Sequence, residues 1–192
     1  MNLFVAVPIR SFAAMERLAG DVDAGTRSAL IRTLGTGVLT AAVTCGADIA
    51  VVTADDEVSA WAGQLGAAAI ADPGGGLDAA ATAAVRAAAG RVWAVVHGDL
   101  PLIEPADLTA LASGPLPALA PSTDGGTSAV AGITSAFPFR FGPRSFHRHC
   151  AAVGGRCRVV TRRGLAVDVD RPRDLSVLAR LGAIQQARKT QS

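Results

Sequence analysis

The chain alternates apolar runs of β type with alanine-rich segments of helical period, and this alternation limits its fold more than any single residue does. "LFVAVP" gives way to the long segment Gly25–Thr44, then to "DIAVVT", then to a shorter helical segment over Asp56–Gln64. Strands written as unbroken apolar runs are buried on both faces, which requires helices above and below a largely parallel sheet. The pattern predicts strands over Leu3–Pro8, Asp48–Thr53, Ala67–Ala71, Arg91–Val96, Ala118–Pro121, Ser128–Ile133, Cys157–Thr161 and Leu165–Val169. It predicts helices over Gly25–Thr44, Asp56–Gln64, Leu77–Ala89, Pro105–Ala112, Pro143–Val153 and Pro172–Leu181. The expected fold class is α/β with three layers, as a single domain over residues 1–182 followed by a polar tail over 183–192.

A chain of 192 residues can bury one good core, and half of these residues are apolar, which argues against disorder. The net charge of +2 and an aromatic content of 4% leave no basic stripe with stacking platforms, so no nucleic-acid partner is expected. "MNLFVAVPIRSF" has no basic leader region, and no apolar run reaches spanning length. These features predict a cytoplasmic protein without a membrane partner, acting on small molecules. They leave its oligomeric state open. Cys45, Cys150 and Cys157 form an odd set without C-x-x-C spacing, which suggests neither a disulfide framework nor a zinc ribbon. The only lysine is Lys189, in the tail. A phosphate site in the body must therefore use arginine, backbone amides or a metal.

Ligands of open α/β sheets bind beyond the carboxyl ends of the strands. Here those positions are Pro8 to Arg17, Asp55 and Asp56, Asp72 to Asp78, Asp99, Ser122 to Thr127, and Asp168 with Asp170. The set is rich in Asp and Gly, the pattern of a metal-assisted phosphate site. In "GLAVDVDRPRDL", Asp168 and Asp170 stand two apart on an expected strand and so share one face. Paired carboxylates repel unless a cation lies between them, and Mg²⁺ takes oxygen ligands of this kind. Asp170 also suits the N-cap of a helix entered through Pro172, and both readings can hold together. Asp99, in "VVHGDLPLI", is either a third ligand or the start of a turn. His97 shares its strand face and is left unassigned.

Three further stretches invite ligands. "FGPRSFHRH" places Gly142 at a turn and Arg144 and Ser145 in the first helical turn, where free N–H groups favour an anion. An ordinary helix start fits the same letters. His147 and His149 are two apart, which excludes a helical zinc pair and suggests a surface pair. "PSTDGGTSAVAG" sets Gly125 and Gly126 beside Asp124 and the hydroxyl of Thr127, as a ligand loop or a plain hairpin. "DPGGGLDAA" puts Gly75 and Gly76 ahead of a helix with Asp78 in its first turn, suited to a ribose or base edge or to the helix dipole.

Taken in order from "VPIRSF" through "DPGGGLDAA", "GDLPL", "PSTDGGTSA" and "FGPRSFHRH" to "GLAVDVDRPRDL", the chain resembles the 2-phospholactate guanylyltransferases, including the phosphoenolpyruvate guanylyltransferases, of coenzyme F-420 biosynthesis. The resemblance implies a nucleotide-diphospho-sugar-transferase-like (GT-A-like) fold with a mixed, mostly parallel sheet. It implies a reaction that couples GTP to a phosphorylated three-carbon acid, phosphoenolpyruvate or 2-phospholactate, and releases pyrophosphate. By the same resemblance Asp99, Asp168 and Asp170 are the catalytic residues and hold Mg²⁺. The acid lies at Thr127, Gly142 and Ser145, and GTP lies over Pro8, Arg10 and Arg17 and over Gly75, Gly76 and Asp78.

The chain departs from the family at Asp78 and Ser128, where asparagine is usual, and in its first loop. There Arg10 replaces a lysine, Arg17 matches an arginine, and a second lysine has no counterpart beside Met15 and Glu16. Glu16 is expected to compete for Arg17. Two other readings stand beside this one. A nucleotide-binding homologue without turnover fits the lysine-poor loop, and a molybdopterin guanylyltransferase would need glycines after the first strand, where none occurs before Gly20.

Overall fold

The computed structural model describes residues 2–176. The expected tail over 183–192, and the end of the helix expected over Pro172–Leu181, lie outside the described residues; that helix is present from Pro172 to Ser176. In chain order the elements are β1 (Leu3–Pro8), α1 (Ala24–Thr44), β2 (Asp48–Thr53), α2 (Asp56–Gln64), β3 (Ala68–Ala71), α3 (Leu77–Ala87) and β4 (Val92–Val96). There follow α4 (Pro105–Ala112), β5 (Ala118–Pro121), β6 (Thr127–Gly132), α5 (Ser145–Ala152), β7 (Arg158–Val159) and α6 (Arg163–Ala166).

Local chemistry starts the helices where polar residues can satisfy their free N–H groups. Asp23 accepts from Thr26 N–H at 2.9 Å and opens α1, and Asp55 accepts from the N–H groups of Glu57 and Val58 and opens α2. Glu104 and Asp107 form a capping box around Pro105 at the head of α4.

The strands form a seven-stranded sheet in the order β3-β2-β1-β4-β6-β5-β7. Only β6 runs against the rest: it pairs antiparallel with both β4 and β5, while the other pairings are parallel. Alternation along each strand divides the core into two layers. Leu3, Val5 and Val7 face α1, α2 and α4 through Val38, Trp61, Leu108 and Leu111. Phe4 and Ala6 face Ala80, Ala81, Ala84 and Val85 of α3 and the aromatic group Trp93, Phe137, Phe139 and Phe141. Burying one such aliphatic or aromatic side chain is worth about 1.5–3 kcal/mol. Alanines on α3 let that helix lie close to the sheet, and the large rings fill the wider space beside it.

One predicted strand is not a strand. Over Leu165–Val169 the chain forms the last residues of α6 and then an extended segment without a ladder. Contacts distant in sequence override the local pattern: Arg162 is ion-paired with the buried Asp107, Gly164 packs against the Asp107 carboxylate and the Leu102 carbonyl, and the Leu165 carbonyl accepts from the buried Ser128 hydroxyl. Two smaller differences stand beside it. The strand expected over Cys157–Thr161 is reduced to β7, and the helix expected from Pro143 begins at Ser145, after Arg144 in a left-handed conformation (φ 55°).

Candidate active site

The strand order diverges between β1 and β4, and beyond their carboxyl ends lies a cavity of about 590 Å³. A smaller pocket of about 300 Å³ adjoins it beneath the first loop, lined by Pro8, Arg10 and Met15 among others. The two share Leu77, His97, Asp99 and Asp170. Because β6 runs backwards, its first residue, Thr127, reaches the same edge as the last residues of β4.

One end of the cavity is acidic. Asp99 follows β4, and its Oδ1 is shut off from solvent with no hydrogen-bond partner among the described residues. Burial, assisted by the charges of Asp170 and Asp124, pushes its carboxyl up to about 7. Asp168 is half-buried and is pushed up to about 6, first by burial and then by Asp99 and Asp124. Asp124 goes the other way, held low chiefly by the Ser122 hydroxyl at 2.5 Å. The Asp99 carbonyl accepts from Val169 N–H at 3.0 Å and draws the acidic segment against the end of β4. His97 packs on Phe141 with ring centroids 5.3 Å apart, and burial keeps it below the usual imidazole range.

Asp170 does not cap the helix that follows. Its side chain is ion-paired with Arg17, while Asp174 reaches back to the N–H groups of Asp170 and Arg171 at 3.1 and 2.7 Å. The chemistry of these donors suits Mg²⁺: all are carboxylate oxygens, one is orphaned, and two hold protons more tightly than usual through burial and then through neighbouring negative charge. Among the described residues no three metal-binding groups already stand at ligand spacing. Arg17 is the counter-ion at Asp170.

The other end is rich in donors. Ser145 Oγ lies 3.2 Å from Thr127 Oγ1, which lies 2.9 Å from His149 Nδ1, and His149 Nε2 accepts from Arg140 N–H at 2.8 Å. Thr127, Ser145 and His149 are all buried. Gly142, with φ 107°, forms the turn before α5 and borders the cavity. Arg144, Arg171 and Arg173 also line it.

The glycine loop lies elsewhere. Gly75 and Asp78 border a separate groove of about 670 Å³ between α3 and the segment Phe137 to Arg140. Gly76 caps α3 at φ 89°, and Asp78 Oδ1 accepts from Phe141 N–H at 2.7 Å, which anchors the approach to Gly142. In the first loop Glu16 pairs with Arg10 at 3.3 Å rather than with Arg17, contrary to expectation, because Arg17 has turned to Asp170.

Residues 3–189 match the family model described as guanylyl transferase CofC like. The chain belongs to this guanylyl transferase family. It is similar to the phosphoenolpyruvate guanylyltransferase of Rubrobacter xylanophilus, with 36% identity over 96% of this chain and 97% of that protein. A protein of the same name from Roseiflexus castenholzii is 33% identical over 93% of this chain and 89% of its own. Among solved structures, a protein described as a nucleotide-diphospho-sugar transferase from Desulfovibrio desulfuricans superposes with TM-score 0.77 at 18% identity, over 93% of this chain and 87% of that one. CMP:2-keto-3-deoxy-manno-octonic acid synthetase, complexed with CTP, superposes with TM-score 0.62 at 16% identity, over 96% and 100%. The expected fold, with its mixed and mostly parallel sheet, is the fold observed.

Within this guanylyl transferase the main cavity gathers Asp99, Asp168, Asp170, Thr127, Gly142, Ser145 and Arg17, while Pro8 and Arg10 line the adjoining pocket. Gly75, Gly76 and Asp78 border neither; Leu77 does so in their place. His149 is no surface residue, since it is wholly buried, whereas His147 is exposed. The spacing of Ser145 and His149, i and i+4 on one helix, was the signal that would have found it.

Proposed function

We propose that this protein joins GTP to phosphoenolpyruvate, with 2-phospholactate as the alternative acid, and releases pyrophosphate in a step of coenzyme F-420 biosynthesis. The observation that carries this reading is one cavity that joins the carboxylates Asp99, Asp168 and Asp170 to the buried hydroxyls of Thr127 and Ser145, with arginines along its lining. The names of the phosphoenolpyruvate guanylyltransferase relatives support the choice of acid.

In this reading a phosphate oxygen of the acid attacks the α-phosphorus of GTP, the bond from that phosphorus to the β-bridging oxygen breaks, and pyrophosphate leaves with the electron pair. Such chemistry is mostly positioning and charge neutralisation, and no covalent enzyme intermediate is needed. Asp99, Asp168 and Asp170 would hold Mg²⁺, which supplies positive charge against the phosphates. The Thr127 and Ser145 hydroxyl pair donates to the acid, and Gly142 lets it approach the backbone. Arg10 and Arg17 grip the triphosphate, since the described body has no lysine to do so. A cytoplasmic location goes with this reading, because both substrates are multiply charged and cross no membrane unaided.

The test is incubation with GTP, Mg²⁺ and a panel of phosphorylated three-carbon acids, reading pyrophosphate and product mass. The expected result is pyrophosphate together with a guanylylated acid, with CTP and ATP poor substitutes for GTP. A second reading, nucleotide binding without turnover, draws on one observation: both first-loop arginines are held by carboxylates, Arg10 by Glu16 and Arg17 by Asp170. Nucleotide binding with no pyrophosphate from any acid would select it.

A further inference from the structure

We infer that His149 is a positioning residue that commits one hydroxyl proton of the Thr127 and Ser145 pair to the acid substrate. The inference rests on the reading that the acid lies at Thr127 and Ser145. The argument begins at Arg140, whose backbone N–H can only donate, and it donates to His149 Nε2 at 2.8 Å. Nε2 therefore carries no proton. The ring is wholly buried among Phe137, Phe139 and Phe141, with the Phe141 centroid 4.9 Å away, and burial drops its pKa to about 4. A neutral imidazole with a bare Nε2 has its proton on Nδ1. Nδ1 faces Thr127 Oγ1 at 2.9 Å, so the histidine donates and the threonine oxygen accepts.

Thr127 Oγ1 also lies 3.2 Å from Ser145 Oγ. The two hydroxyls own two protons, and one is spent between them. The other has no acceptor on His149, because that nitrogen already bears a proton. Whichever hydroxyl donates to its neighbour, one proton is left for the cavity that both residues line. An oxyanion accepts it, whereas an ammonium, which can only donate, leaves that proton without a partner. The relay has a fixed direction from the Arg140 amide through His149 to Thr127, and Ser145 joins it at the Thr127 oxygen. It favours an acceptor, such as the carboxylate or phosphate oxygen of the acid, over an ammonium in the same place.

Two substitutions divide the relay. His149→Asn keeps an amide N–H near the position of Nδ1 and so keeps the donor to Thr127, but it loses the acceptor for Arg140. His149→Gln places its amide nearer Nε2 and keeps the Arg140 contact while freeing Thr127. Titration calorimetry with phosphoenolpyruvate in the presence of Mg²⁺ and a GTP analogue carrying a methylene in place of the α,β-bridging oxygen, which blocks turnover, should give His149→Gln a Kd about tenfold weaker than wild type, and His149→Asn a Kd close to it. Melting temperatures should fall more for His149→Asn. A Kd in His149→Gln equal to wild type, or weakening of both variants in proportion to their melting temperatures, would overturn the proposal and leave a purely structural histidine. A long-range ¹H–¹⁵N histidine spectrum of the wild-type protein should show the Nδ1–H tautomer at neutral pH, and an Nε2–H tautomer would overturn it independently of any substrate. A wild-type protein that shows this tautomer yet binds no phosphoenolpyruvate would defeat the substrate reading, and with it the role at the acid, while the direction of the relay stood.

Discussion

Arg17 and Asp170, 153 positions apart in the chain, form an ion pair that ties the first loop to the acidic end of the cavity. The arginine is largely exposed, so the pair itself adds little stability, about 1 kcal/mol or less. Its interest is chemical. Each partner is engaged with the other where a ligand phosphate and a cation would claim them.

The first prediction concerns that loop. Arg10→Ala and Arg17→Ala should each raise the KM for GTP, or cut turnover, with less effect on the affinity for the acid and only a small change in melting temperature. Steady-state kinetics beside thermal melts check this. Full activity in the Arg10→Ala/Arg17→Ala double variant would show that GTP does not lie over the first loop.

Asp99→Asn, Asp168→Asn and Asp170→Asn should each lower turnover by about a hundredfold or more, the scale of removing one electrostatic stabiliser. The first two should not destabilise the ligand-free protein, since each removes a buried carboxyl that resists ionisation. Single-turnover rates and urea titrations separate the two effects. A variant that loses activity only in proportion to its stability would count against a direct role.

A pH dependence follows from the same pair. Asp99 at about 7 and Asp168 at about 6 both bind protons more tightly folded than unfolded. Their contribution to stability is present in full below the unfolded carboxyl value, near 4, and is lost as pH rises through about 6 to 7. Ligand-free protein should therefore melt at progressively lower temperature across that window, and the Asp99→Asn/Asp168→Asn double variant should show a flatter profile. Mg²⁺ should reduce the slope in the wild-type protein. A rise in melting temperature over the same window, absent from the double variant, would contradict the assigned shifts.

Gly164→Ala should destabilise by about 1–3 kcal/mol and also impair turnover. An added Cβ would collide with the Asp107 carboxylate and stand 2.6 Å from the Leu102 carbonyl, displacing α6 and the Asp168 segment it leads into. Urea unfolding and steady-state kinetics read both consequences, and wild-type values in both would remove α6 from the account of the site.

The parts legible in the sequence were those set by short-range pattern. β1, β2 and β4 are unbroken apolar runs, and Asp23, Asp55 and Pro105 announce the helices they open, so these elements fall where expected. "GLAVDVD" alternates as a strand does, but the Arg162 to Asp107 ion pair and the Ser128 hydroxyl bend it into α6, and neither partner is near in sequence. The Arg17 to Asp170 pair escaped for the same reason. The spacing of His147 and His149 hides the role of His149, whose neighbour on the helix face is Ser145. Ser128, where the chain departs from the family, is buried within β6 and donates to the backbone of α6.

The single reversed strand, β6, has a wider consequence. It makes the hairpin between β5 and β6, from Ser122 to Gly126, part of the wall of the cavity, with Ser122 N–H bonded to the Gly126 carbonyl at 3.1 Å. Strand register is fixed on both sides of this turn by Ala120 opposite Ala129 and Leu119 opposite Val130. Residues could be added at its tip without disturbing the sheet. The turn is therefore a place where insertion can reshape the wall of the cavity, with Asp99, Asp168 and Asp170 carried on other segments and Asp124 alone on the turn itself.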